Sequence, residues 1–386
     1  MISTSLDQHW TAEQLALQAT TAEFVRREVI PHLQEWEDAG EVPRALHLAA
    51  ARAGLLGVGF PEEVGGQGGT VLDSVAMQEA FFEAGGSSGL AAALFTSGIA
   101  LPHLAARGTP EQVDAFVRPT LAGEKIGALA VTEPGGGSDV AGIRTAAVRR
   151  GDDYIVNGAK TFITSGVRAD FVTTAVRTGG PGSRGISLLV VEKGTPGFGV
   201  DRSLSKMGWH CSDTAELSLV DARVPAANLV GEENSGFAQI AEQFVVERIA
   251  LAVHAYGIAA RSLTLTASYC RERETFGKPL LANQVVRHRL VEMQRRVWVA
   301  RCYVVETARS HDLGKDVIVE ACMAKQTAVE ACAYVVDQAV QLHGGAGYMH
   351  GTEVERHYRD ARILGIGGGA TEVLTDLSAR LLGYHA

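Results

Sequence analysis

The chain has 386 residues, 46% hydrophobic and 20% charged, enough for a core that needs no cross-links and too apolar for a disordered chain. Its net charge of −9, from 35 basic and 44 acidic residues, lacks the basic excess of a nucleic-acid binder. Five cysteines without a C-x-x-C pair exclude a zinc motif or a disulfide framework, so no metal is expected, and reduced thiols in a cytoplasmic protein are.

The N-terminus carries no basic-then-apolar leader pattern. Up to residue 125 the chain reads as helices rich in Ala, Leu and Glu, at 11–35, 44–53 and 74–83, separated by Gly and Pro clusters. From 126 to 233 short β-branched runs recur, at 126–132, 154–156, 171–176, 186–191 and 215–220. Asn157-Gly158 between two such runs signals a hairpin, and the whole stretch reads as a small β-barrel or sandwich. From 234 to 386 helical periodicity returns. Phe237, Ile240, Ala241, Phe244 and Leu251 share one face, Gly277 and Pro279 end that helix, and two more long helices lie near 284–309 and 317–342. The most apolar stretch, 249–260, contains His254 and is too short to span a bilayer, so no transmembrane segment is expected.

Five places could carry chemistry. The run Val131-Thr132-Glu133-Pro134-Gly135-Gly136-Gly137-Ser138-Asp139 closes an apolar strand; its glycines let backbone N–H groups approach a ligand, and Thr132 and Ser138 add hydroxyls. A plain glycine-rich turn accounts for it equally well. Glu247-Arg248 is flanked by apolar residues on all sides, which implies burial. Two readings stand for it: a structural ion pair, or a carboxylate with a raised pKa poised as a base. Gln341-Leu342-His343-Gly344-Gly345-Ala346-Gly347-Tyr348 holds more glycine than a helix cap needs, and Gly367-Gly368-Gly369-Ala370-Thr371-Glu372 precedes a helix that Thr371 could cap. The charged run Arg271-Glu272-Arg273-Glu274-Thr275-Phe276 reads as a solvated helix end or as a grip on a pyrophosphate and a ring. His254, His288 and His311 read as structural.

Taken in order, these motifs, with Asn157-Gly158-Ala159-Lys160-Thr161-Phe162-Ile163-Thr164, Lys206-Met207-Gly208, Ser212-Asp213-Thr214-Ala215-Glu216-Leu217 and Arg359-Asp360-Ala361-Arg362, resemble the acyl-CoA dehydrogenase family of flavoproteins over nearly the whole chain. The resemblance implies an α+β fold: an N-terminal helical domain (1–125), a middle β-barrel domain (126–233) and a C-terminal four-helix bundle (234–386). It implies FAD, an acyl-CoA substrate, a homotetramer, and electron-transferring flavoprotein as the acceptor. By matching motifs, Thr132, Ser138, Phe162 and Thr164 would meet the flavin, Phe162 standing where many relatives have Trp. Arg273, Phe276, Gln284, Gln341, Gly344 and Gly345 would hold the FAD of a neighbouring subunit. Thr371 and Glu372 would touch the cofactor, Ala370 replacing the usual Thr. Arg248 and Ser138 would meet the substrate.

Many members carry the catalytic base in a Tyr-Glu-Gly-Thr run, where this chain has Gly368. The isovaleryl and long-chain types place it on the first long helix of the last domain, directly before an Arg, and Glu247-Arg248 fits that pattern. The resemblance then implies that Glu247 takes the α-proton of the thioester while a hydride leaves the β-carbon for flavin N5, giving a trans-2-enoyl-CoA. The enolate oxygen would be held by an N–H near Gly368 and a ribityl hydroxyl. Gly367 and Gly368 would leave room beside the reacting carbons. An oxygen-using oxidase or monooxygenase on the same fold, and a non-catalytic FAD-binding subunit, are the alternatives.

Overall fold

The computed structural model describes residues 10–384. Helix α1 (Ala12–Phe24) opens with a reciprocal cap, Gln14 N–H donating to Thr11 Oγ1 while Thr11 N–H donates to Gln14 Oε1. The single helix expected over 11–35 is interrupted. It loosens into a π turn at Val25–Val29, breaks around Pro31, and resumes at Leu33–Ala39. A proline has no N–H for the ladder, which accounts for the break. Arg44–Arg52 and α2 (Val71–Glu83) follow, then the short helix Ser88–Leu94.

The middle region is one curled seven-stranded sheet. Strands β1 (Gly127–Ala130), β2 (Ala146–Arg150), β3 (Asp153–Thr164), β4 (Phe171–Arg177), β5 (Ile186–Glu192), β6 (Phe198–Ser203) and β7 (Thr214–Pro225) run in the order β1-β4-β2-β3-β7-β6, with β5 on β4. The Asn157-Gly158 hairpin is not formed. Both residues lie inside β3, at a register shift against β7. There the Asn157 amide donates to Asp221 Oδ1 and its oxygen accepts the Asp221 N–H. A Cβ on Gly158 would stand 2.4 Å from the Thr145 hydroxyl, so the glycine serves close packing. Strands β2 and β6 went unseen because they are largely exposed and each carries an adjacent charged pair, Arg149-Arg150 and Asp201-Arg202, in place of a β-branched run.

The last region is helical and holds α3 (Gly236–Glu272), α4 (Gln284–Asp312), α5 (Ile318–His343), α6 (Glu353–Leu364) and α7 (Thr371–Leu381), with a four-residue helix at Gly345–Tyr348 between α5 and α6. Helix α3, at 37 residues, is long and apolar enough to cross a bilayer by length and composition, contrary to the shorter apolar stretch expected, yet 72% of its most apolar window is buried inside the fold. It is the central rod of a core that also takes in Phe81 and Phe82 of α2, Leu94, Val297 of α4 and Val335 of α5. Gly257 lets α2 come close, since a Cβ there would meet the Phe82 ring at 2.6 Å.

Candidate active site

Glu247 projects from α3 beside the loop joining α6 to α7. Its Oε1 lies 3.3 Å from the point where a Cβ on Gly368 would sit, and among the described residues its side chain makes no hydrogen bond and no ion pair. One turn further along α3, Leu251 Cδ1 lies only 2.2 Å from that same point. The space a side chain at 368 would need is therefore already filled. Gly368 also has φ +61°, a conformation that penalises any side chain. This corrects the expectation of extra room at both glycines: a Cβ on Gly367 would meet only ordinary contacts with Ile363, at 3.7 and 3.9 Å, and one on Gly368 would clash.

Burial raises the pKa of Glu247, opposed by the positive charges of Lys325 and Arg248. Arg248 does not pair with it, because successive helix residues point in different directions. Instead Arg248 is buried, its guanidinium 5.7 Å from the centre of the Phe244 ring and its Nε without a partner. The ion-pair reading of Glu247-Arg248 thus fails. What remains is a carboxylate with an open coordination side and a cation with a spare donor.

Lys325 completes this corner. Its ammonium, 1% exposed, donates to the carbonyls of Gly367 and Gly369, the latter at 2.8 Å. Burial lowers its pKa to about 8, against the raising effect of Glu247. Sequence reasoning missed this residue. A signal existed: Ala321, Ala324, Ala328 and Cys332 form the buried stripe of α5, and Lys325 falls on it.

The glycine-rich run bends tightly after β1. Glu133 N–H donates to the Gly136 carbonyl and Gly136 N–H to that of Glu133. Glu133 turns inward, where its carboxylate takes N–H groups of Arg144 and Thr145 and the Lys160 ammonium at 2.9 Å. Burial alone would raise the Glu133 pKa, but these donors outweigh it and hold the group at about 2. Lys160 also donates to the Val131 carbonyl, so this buried pair pins the loop to β3. Ser138 and the three glycines are left exposed, and Thr132 is half-buried.

Thr161 N–H donates to the Thr132 carbonyl, which sets Phe162 and Thr164 beside the loop. Phe162 is 68% exposed and held at φ +60°, at a second register shift between β3 and β7. A strained backbone presenting a bare aromatic ring is a recognisable mark of a ring-binding surface. A flat aromatic cofactor fits that surface and the open backbone next to it.

The remaining motifs sit elsewhere. Tyr269, near the end of α3, stacks on His343 at the end of α5, with ring centres 4.3 Å apart. This gathers Arg273, Gln341, Gly344 and Gly345 at one end of the bundle, with Gln284 opening α4 just beyond. Phe276 caps a two-residue turn between Glu274–Thr275 and Lys278–Pro279, fully exposed. At 1.5 Å per residue, Tyr269 is about 33 Å along the axis of α3 from Glu247. Thr371 is the first residue of α7, and Ala370 holds the cap position, so the expected Thr371 cap is not formed. Glu372 is exposed in that first turn. Among the histidines, His254 is buried and neutral, its pKa lowered to about 4 by burial, with Ser88 Oγ 3.2 Å away.

Comparison with known proteins matches the acyl-CoA dehydrogenase N-terminal, middle and C-terminal domains at residues 11–124, 128–222 and 234–383. The chain belongs to the acyl-CoA dehydrogenase family. It is 39% identical to the long-chain specific acyl-CoA dehydrogenase of Rattus norvegicus over 375 residues, covering 96% of this chain and 86% of that one. The crystal structure of a probable acyl-CoA dehydrogenase from Mycobacterium abscessus superposes with a TM-score of 0.96 at 61% identity, covering 97% and 99% of the two chains. An FAD complex of PigA superposes at 0.93 with 26% identity, over 97% and 98%. Acyl-CoA dehydrogenases use FAD, and this family member is an oxidoreductase.

Proposed function

We propose that the protein dehydrogenates an acyl-CoA between its α and β carbons with Glu247 as the base. The observation that carries this is the unpartnered Glu247 carboxylate facing the Gly368 backbone. A base needs a free lone pair and a pKa lifted toward the working pH, and burial supplies the second. Glu247 takes the α-proton. The Gly368 N–H receives the oxygen on which negative charge develops, where a fixed donor lowers the barrier most. Arg248, with its spare buried donor, holds the CoA portion. FAD, when bound, supplies the hydride acceptor for the β-hydrogen, so that the product is a trans-2-enoyl-CoA.

On this reading Phe162 packs on the flavin ring, while Thr132, Ser138 and Thr164 supply polar contacts at its edge. Thr371 and Glu372 reach it from the start of α7. Arg273, Phe276, Gln284, Gln341, Gly344 and Gly345 lie too far along the bundle to share that flavin, which supports their serving the cofactor of a second copy. The exposed Phe276, Val285, Val291 and Val299 are apolar surface that a homotetramer would cover. Electrons leave to an electron-transferring flavoprotein.

The test is anaerobic bleaching of the holoenzyme's flavin colour by straight and branched acyl-CoAs of graded length. Bleaching by a subset establishes the half-reaction and ranks substrates, and no bleaching by any refutes the reading. Rapid recolouring in air would replace the electron-transferring flavoprotein with oxygen as acceptor.

A further inference from the structure

The carbonyl of Gly367 and the N–H of Gly368 belong to one peptide unit. In a planar trans peptide these two groups point in opposite directions. Whatever fixes the carbonyl therefore aims the N–H. In this loop the carbonyl is fixed by Lys325, whose ammonium also holds the Gly369 carbonyl and so grips the chain on both sides of Gly368. Gly368 and Gly369 both have positive φ, at 61° and 98°, and glycine alone would leave that peptide free to turn.

The lysine is costly to keep there. It is 1% exposed on a helix face otherwise lined by alanines and cysteine, and no carboxylate lies within ion-pair distance among the described residues. Burying an ammonium costs several kcal/mol, so a methionine would pack the same space at lower cost. The charged and titratable groups around it are Glu247 and Arg248 from α3 and Cys322 of its own helix. A cation on the carbonyl oxygen polarises the amide, and linked hydrogen bonds strengthen one another.

We propose that Lys325 is a positioning residue for the reaction: by gripping the Gly367 and Gly369 carbonyls it aims and polarises the Gly368 N–H toward the thioester oxygen. The inference rests on the proposed role of Gly368, and it adds a group that never touches the substrate. Its effect falls on the acidity of the α-proton and leaves ground-state binding of CoA nearly unchanged.

The probe is a 3-thiaacyl-CoA, whose sulfur blocks hydride loss and leaves the α-protons removable. Enolate formed beside oxidised flavin is read as a long-wavelength charge-transfer band. In the Lys325→Met holoenzyme the expected result is unchanged flavin content, probe affinity within about threefold of wild type, and about tenfold less enolate at saturation. Lys325→Arg, which keeps the cation, should recover most of the band. Equal band intensity in Lys325→Met and wild type overturns the proposal, as does a loss in Lys325→Met that matches its loss of bound probe.

If the Met variant fails to fold, the wild type decides. The carbonyl stretch of bound trans-2-butenoyl-CoA, whose single α-hydrogen is vinylic and is not removed as a proton, should rise as the pH passes about 8 and Lys325 deprotonates. A stretch that does not move between pH 7 and 9.5 also overturns it. Failure of the underlying reading looks different: wild type would then show no enolate band, or Glu247→Gln would show the full one.

Discussion

Moving the base from α3 to the loop tests the packing around Gly368 directly. The perturbation is Glu247→Ala with Gly368→Glu, made with and without Leu251→Ala. A side chain at 368 must adopt φ +61°, at about 1–2 kcal/mol. Its Cβ must also enter space held by Leu251 Cδ1, 2.2 Å away, an overpacking that costs about 1–3 kcal/mol. The two-residue swap should therefore be about 2–5 kcal/mol less stable than wild type, and its carboxylate should be displaced. Trimming Leu251 relieves the overpacking and leaves the backbone cost in place. The three-residue variant should recover about 1–3 kcal/mol of that loss and, with its carboxylate no longer displaced, reduce flavin faster than the two-residue swap. Stability is read from flavin release on heating, and rate from anaerobic single-turnover flavin reduction. A two-residue swap as stable and as fast as wild type would refute the claim that Leu251 occupies the alternative base position.

Glu247→Gln should keep its flavin and assembly while slowing flavin reduction at least 10²- to 10⁴-fold; in the wild type, since burial raises the Glu247 pKa and only the carboxylate can accept a proton, the rate should climb with pH through that pKa, and a rate that falls over the same range would contradict it. Lys160→Met leaves the buried Glu133 without its cation, a change worth about 3–5 kcal/mol; the expected outcome is weaker FAD retention on dialysis, and undiminished retention would show that the loop does not depend on the pair. Asp360 is buried near Glu37, and burial first, then that neighbouring charge, raises its pKa to about 7 from 3.8. The folded state thus holds this proton more tightly than the unfolded chain, so stability falls as pH rises from about 4 to 7. Asp360→Asn should melt higher than wild type at pH 8, with the gap closing toward pH 4, as thermal scans at the two pH values would show.

The helical–strand–helical order, most strand positions and the Glu247-Arg248 pair were legible in the sequence, because hydrophobic period and a charge in apolar surroundings are local signals. What escaped was non-local. Asn157-Gly158 carries a turn signature, and only the approach of Thr145 and Asp221 shows that it serves a bulge inside one strand. Leu251 looks like one more core residue until the loop from Gly367 to Gly369 is folded back over it. Lys325 fits the apolar stripe of α5 by period and contradicts it by charge, yet its partners are backbone carbonyls more than forty residues away. Phe162 sits in a β-branched run that shows only a strand, and its exposure on a strained backbone at a register shift is visible only in the fold.

The core that joins residues near 24–94 to residues near 245–364 has a consequence for biosynthesis. The first helices leave the ribosome without the helix they pack against. Roughly 150 residues must be translated before α3 begins to emerge, which at 5–20 residues per second is about 8–30 s. During that interval Phe81, Phe82, Leu90 and Leu94, all fully buried in the finished fold, have one another and the earlier helices but lack the α3 side of their core. The curled sheet, whose strands pair only with one another, can form first and carry the exposed helices on its flank. Nascent chains halted before α3 should therefore engage holdase chaperones, and chains released after α5 should not.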